Sequence, residues 1–192
     1  FGAIVEKSHI VDILKHIKAG HQVVALIAPA VAGQFPVDIG KLVTGIKKLG
    51  FTAVLEVARG ADITTAKETK ELQERLVQGQ KFMTTSCCPA YKLTVEKHIP
   101  ELQPFVSETK SPLWYTAELA KQEYPEAVTV FISPCVAKKK EAQAIPDLDF
   151  VLSIEEMGVL FIAKNIELAA LEPTPAAVIP SAHGRQYAMT GG

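Results

Sequence analysis

Two runs in this chain, Val23-Val24-Ala25-Leu26-Ile27 and Val128-Thr129-Val130-Phe131-Ile132, are apolar almost without interruption. A strand with one wet face alternates, whereas an unbroken apolar run belongs to a strand covered on both faces, the condition of a parallel sheet between helix layers. The sequence around them supplies those helices. Ser8 reads as the N-cap of a helix through residue 18, with Ile10, Ile13, Leu14 and Ile17 on one face and Gly20 as its stop. Asp38 opens a second helix that Gly50 ends, residues 51–57 read as a strand, and residues 62–76 as a third helix. Residues 81–85 form a short predicted strand, followed by helices at 91–98 and 112–123. A brief strand at 150–152 precedes a helix at 154–165, and residues 172–192 read as loop. The alternation predicts an α/β chain with two lobes of mostly parallel sheet flanked by helices, residues 1–85 and 86–192. Right-handed crossovers then bring the C-terminal ends of the strands to one side.

Every cysteine lies at such an end. The first segment is Thr85-Ser86-Cys87-Cys88-Pro89-Ala90-Tyr91 and the second is Ser133-Pro134-Cys135-Val136-Ala137-Lys138-Lys139-Lys140-Glu141. Neighbouring cysteines are poorly placed to bridge each other, and three thiols cannot pair off, so no disulfide framework is expected. A reducing compartment and metal-binding thiols fit this usage. A structural zinc site calls for four nitrogen or sulfur ligands, commonly as two C-x-x-C pairs, and a redox dithiol calls for one such pair; neither spacing occurs. The five histidines, His9, His16, His21, His98 and His183, read as solvated or capping residues. Cys87 as an activated nucleophile stays open as an enzymatic competitor.

The two cysteine segments resemble the first two cluster-binding motifs of the iron-iron hydrogenases. In that family a 4Fe-4S cubane, held by four cysteines, is joined to a two-iron centre carrying CO and cyanide. The first motif, T-S-C-C-P-x-W, is matched through Pro89, with Tyr91 in place of tryptophan. The resemblance implies that Cys88 is a cubane ligand and Cys87 the thiol that donates protons. The second motif, M-P-C-x-x-K-x-x-E, is matched at Pro134, Cys135, Lys138 and Glu141, with Ser133 replacing methionine. It implies that Cys135 is a second cubane ligand and that Lys138 hydrogen-bonds a cyanide. Ala28-Pro29-Ala30-Val31 resembles the segment whose backbone amide reaches the other cyanide. Val106-Ser107 with Lys110-Ser111-Pro112 resembles V-S-x-x-x-S-P, and Leu113 stands where many catalytic members have glutamine. The implied proton path is Cys87, Glu68, Ser107, Glu71 and Arg75; Glu68, Glu71 and Arg75 share one helix face at spacings of three and four.

The resemblance thus implies an iron hydrogenase catalytic domain: reversible H2 oxidation and proton reduction, with a ferredoxin or ferredoxin-like electron carrier. Ala188-Met189-Thr190-Gly191-Gly192 is similar to the run before the third motif, which carries the last two cysteines. A chain cut at both ends, and unable by itself to keep the full cofactor or turn over, is the expectation. Two alternatives remain open: a sensory hydrogenase-like domain, and a hydrogenase-like iron–sulfur assembly protein without the two-iron centre. A net charge of −1 argues against nucleic acid or an anionic membrane surface as partner. No apolar run reaches the ~18 residues of a membrane span, no signal peptide is read at residues 1–7, and a cytoplasmic location is expected.

Overall fold

The computed structural model describes residues 7–189. The first six residues, and Thr190-Gly191-Gly192 of the run compared with the third motif, lie outside the described residues. Four strands, β1 (Val23–Ile27), β2 (Ala53–Glu56), β3 (Val128–Ser133) and β4 (Phe150–Ser153), form one parallel sheet in the order β2-β1-β3-β4. All residues of β1 and β2 are buried, so both faces are covered, as the apolar runs predict. Both expected lobes contribute two strands to this single sheet. The division at residue 85/86 therefore crosses the sheet and does not separate two of them, because β1 pairs with β3 as well as with β2.

The helices are α1 (Ile10–Lys18), α2 (Ile39–Lys48), α3 (Ala58–Val77), α4 (Pro89–His98), α5 (Pro112–Glu123), α6 (Lys138–Ala142), α7 (Ile154–Ala163) and α8 (Ala182–Gln186). The Asp38 carboxylate caps α2 by accepting from the Lys41 amide at 2.9 Å, and Ser153 with Glu156 closes a capping box on α7. Helix α1 starts one residue later than Ser8 suggests; His9 is its N-cap residue, and the His9 ring instead meets the backbone of Val151 at 3.2 Å, covering the edge of β4. The strand expected at 81–85 reduces to one bridge between Thr84 and Val106. The loop expected at 172–192 contains α8. Among the described residues no helix is long and apolar enough to cross a membrane.

Helix α3 begins at Ala58, four residues ahead of the predicted start, and a glycine lies in its first turn. The reason is the neighbouring helix. A Cβ on Gly60 would stand 2.0 Å from the Pro112 carbonyl oxygen and 2.4 Å from Thr116 Oγ1, so α3 and α5 approach at backbone distance only because this residue lacks a side chain. Gly60→Ala is expected to cost about 1–3 kcal/mol through forced displacement of α5, read as a lower denaturant midpoint. An unchanged midpoint would mean that the two helices separate without penalty.

Candidate functional site

The order β2-β1-β3-β4 changes direction between β1 and β3: the chain leaves β1 toward one edge and β3 toward the other. In open parallel sheets ligands bind in the crevice at the carboxyl ends of the two strands that flank such a reversal. Here the loop after β1 is Ala28-Pro29-Ala30, folded as a 3-10 turn (Pro29–Val31), and the loop after β3 is Pro134-Cys135 leading into α6. Ala28, Pro29, Ala30, Cys87, Cys135 and Lys138 line a common hollow of about 240 Å3, whose walls include Leu113 and Tyr187. The first hydrogen bond of the Pro29–Val31 turn is donated by Val31 to Ala28, so the turn does not consume the Ala30 amide.

All three cysteines are free thiols; Cys87 is half-buried and the other two are exposed. Cys88 is the N-cap of α4, with Pro89 as first helical residue, and its Sγ accepts from the Tyr91 amide at 3.4 Å. That arrangement aims the start of a helix at sulfur, and amide donors of this kind tune a metal-bound thiolate. Cys88 itself does not line the 240 Å3 hollow, whereas Cys87 and Cys135 do. The Cys135 amide donates to Ser133 Oγ at 3.1 Å, fixing the turn before α6. Among the described residues no three His, Cys, Asp or Glu side chains converge as a metal site. Cysteine sulfur is the ligand class that iron–sulfur clusters select, and Cys87 and Cys135 are the two cysteines at the hollow.

Lys138 bridges the two cysteine segments. Its Nζ donates to the Cys87 carbonyl at 2.8 Å and pairs with Glu141, which in turn accepts from the Ser111 hydroxyl. The ammonium is thus fixed at the hollow by the Cys87 carbonyl and by Glu141, itself held by Ser111. Tyr91 turns away from it: its hydroxyl donates to Thr84 Oγ1 at 2.8 Å.

The five residues of the expected proton path fall into two groups. Glu71 accepts from Ser107 Oγ at 2.6 Å, the Glu108 amide at 2.9 Å and Thr109 Oγ1 at 2.8 Å, and pairs with Arg75 at 2.7 Å. Burial pushes the Glu71 carboxyl up, but these donors together outweigh it and hold it at about 2. Arg75 also donates to the carbonyls of Pro104 and Val106. Glu68 lies apart, accepting from Thr85 Oγ1 at 2.9 Å and the Ser86 amide at 3.3 Å. Among the described residues no direct hydrogen bond joins Glu68 to Ser107 or to Cys87. Thr109 and Tyr187 are site residues that sequence reasoning missed, and Thr85 entered only as the first residue of the T-S-C-C-P motif; Thr109 lies within the V-S-x-x-x-S-P segment, but nothing local marks Tyr187.

Segment α8 is held by long-range anchors. Ser181 caps it and donates through its amide to Asp62 Oδ2 at 3.0 Å, and Arg185 forms a two-pronged pair with Glu56 at 2.9 and 2.7 Å. Glu56 is 3 % exposed. A Cβ on Gly184 would lie 2.2 Å from the Ala58 carbonyl oxygen, so α8 sits directly on the start of α3 and delivers Tyr187 to the hollow.

Comparison with known proteins agrees with this architecture. The family described as "Iron only hydrogenase large subunit, C-terminal domain" matches residues 21–192. The chain is 31% identical to Iron hydrogenase 1 of Clostridium pasteurianum over 99% of its own length and 38% of that protein's. A cytosolic Fe-S cluster assembly factor of Kluyveromyces lactis is 30% identical over 62% of this chain and 26% of its own. Among solved structures, an apo FeFe-hydrogenase variant from Chlamydomonas reinhardtii superposes with a TM-score of 0.79 at 30% identity, covering 90% of this chain and 52% of the other. The chain spans about two-fifths to half the length of the hydrogenases it matches. With the match covering nearly all of its sequence, the chain belongs to the family of the iron-only hydrogenase large subunit, C-terminal domain.

Proposed function

We propose that this chain forms one side of the cluster-binding hollow of an iron-iron hydrogenase that interconverts H2 with protons and electrons, exchanging electrons with a ferredoxin-type carrier in the cytoplasm. The observation that carries the reading is the shared hollow at the strand-order reversal, where Ala30, Cys87, Cys135 and Lys138 meet from three separate segments. Cys88 and Cys135 would hold the 4Fe-4S part, with further ligands from outside the sequence described above. The cluster, when bound, supplies the redox chemistry at which hydrogen is split or formed.

The protein's own tasks follow from its geometry. Lys138 offers a charge-assisted donor at the wall of the hollow, and the Ala30 amide offers a neutral one on the opposite loop; both suit a negatively polarised ligand atom. Leu113, 1 % exposed, lines the hollow and keeps water from that side. Cys87, half-buried at the wall of the hollow with its carbonyl held by Lys138, is the thiol placed to pass a proton at Sγ. The assembly-protein reading leaves Lys138 without a task, since it needs only the cubane. The sensory reading draws support from the exchanges at Tyr91, Ser133 and Leu113, the first of which turns its hydroxyl to Thr84.

Infrared spectra of the full-length, matured protein test the proposal. Bands of CO and cyanide bound to iron are expected, and their absence alongside a normal 4Fe-4S absorption would replace it with the assembly reading. Brisk hydrogen evolution by the same sample would exclude the sensory one.

A further inference from the structure

Helix α1 closes on a glycine turn that brings two imidazoles together. Gly20, at φ 78°, takes the left-handed position after the helix. The Gly20 amide donates to the Ile17 carbonyl and the His21 amide to the His16 carbonyl, each at 3.1 Å, which folds His21 back over the last turn. A Cβ on Gly20 would meet nothing within 4 Å, so glycine serves here through its backbone alone. In this turn His16 Nδ1 and His21 Nδ1 stand 2.8 Å apart at the exposed surface, with ring centroids 5.1 Å apart. Phe150 backs the His16 ring at 5.6 Å. His9, which also touches Phe150, is engaged with the Val151 backbone and takes no part.

We infer that His16 and His21 form a two-imidazole chelate for a divalent transition-metal ion, nickel(II) or copper(II) in preference to zinc(II). Imidazole nitrogen suits all three ions, and the separation selects among them. Nitrogens 2.8 Å apart, each about 2.0 Å from a shared ion, subtend an angle of about 90° there. That is the angle between neighbouring ligands in square-planar and tetragonal copper(II) and nickel(II). Tetrahedral zinc(II) asks for about 3.3 Å between the same atoms, so the turn would have to open. Without an ion one ring donates and the other accepts. On binding, the donor ring's proton moves from Nδ1 to Nε2, both Nδ1 atoms offer a lone pair, and the charge gained is that of the ion. No third ligand joins them among the described residues, so water fills the remaining positions. The carbonyl end of α1 favours a cation at this place, and the ammonium of Lys15 is paired with Asp12 at 3.5 Å. His21 precedes β1, and the cysteine hollow lies beyond the far end of that five-residue strand, about 15 Å away. The chelate is therefore independent of the cluster and of the hydrogenase reading.

Equilibrium dialysis of the untagged full-length protein, clusters in place, against nickel(II) chloride tests it, with elemental analysis counting the nickel retained. His16→Ala and His21→Ala are each expected to hold one nickel fewer per chain than the parent. His98→Ala, at another exposed histidine, is expected to hold as many as the parent. Gly20→Ala keeps both imidazoles but strains the turn, and is expected to lose the same nickel. Equimolar zinc(II) should leave most of that nickel in place. Circular dichroism matching the parent's is expected for every variant, since all four positions are exposed or half-buried. Equal nickel in the parent and in His21→Ala would overturn the chelate. Retention by Gly20→Ala, or displacement by equimolar zinc(II), would overturn its right-angle geometry.

Discussion

Glu71→Ala is expected to remove about 3 kcal/mol of stability at neutral pH and to free the loop from residue 106 to 109. The gap between the ordinary carboxyl value of 4.5 and about 2 in the fold corresponds to roughly that energy at about 1.4 kcal/mol per tenfold. Burial supports the size: side-chain exposure is 17% for Glu71 and 14% for Arg75, too little water for the pair to be a negligible surface contact. Truncation would also leave Ser107, Thr109, the Glu108 amide and Arg75 without their shared acceptor. The sign with pH follows from the direction of the shift. A carboxyl depressed in the folded state contributes fully above its unfolded value and loses that contribution as pH falls toward the folded one. The stability difference between the parent chain and Glu71→Ala should therefore be large at pH 7 and shrink between about pH 5 and pH 2. Denaturant unfolding at several pH values measures it; a difference that stays constant with pH would show that Glu71 contributes packing alone.

Exchanging the three cysteines one at a time should separate their roles in the full-length protein. Cys88→Ser and Cys135→Ser are expected to bring 4Fe-4S absorption and iron content close to background, because a serine hydroxyl is a hard, weakly acidic replacement for a soft thiolate. Cys87→Ser should leave iron content near that of the parent while lowering turnover by about 10²–10⁴-fold, the range for loss of a positioned proton-transfer group. The geometry supplies the asymmetry. Cys88 occupies the N-cap of α4 with an amide donor on its sulfur, whereas Cys87 faces the hollow and lends its carbonyl to Lys138. Loss of iron from Cys87→Ser with retention in Cys88→Ser would reverse the assignment of the adjacent pair.

The strands at the centre were legible because burial on both faces leaves an apolar run with no alternation, and Val23–Ile27 is bounded as the run is. Helix starts set by tertiary contact were not. Arg59-Gly60 reads locally as a helix breaker, yet Gly60 is where α5 presses its backbone onto α3. Residues 81–85 have the composition of a strand but only Val106 to pair with, so pattern alone overstates the element. The five residues of α8 lie among prolines and glycine and are too short for a periodic signal; Asp62 and Glu56 hold them from more than a hundred positions away. The same separation explains the site. Cysteines, Lys138 and the Pro-Ala turn announce themselves through motif spacing, while the place of Tyr187 in the wall of the same hollow is created by the fold and leaves no trace in the residues around it.

The two innermost strands of the sheet, β1 and β3, pair Val23 with Val128 and Ile27 with Ile132. Such a spine closes a loop of about a hundred residues before any reward is gathered, which slows nucleation and raises contact order. On the ribosome the segment carrying β1 and β2 would still present one flank of β1 bare until residues 128–133 emerged. Assembly of the sheet and of the hollow at its end is consequently one event, and the cysteine segments come together only once β3 and the residues after it have been made.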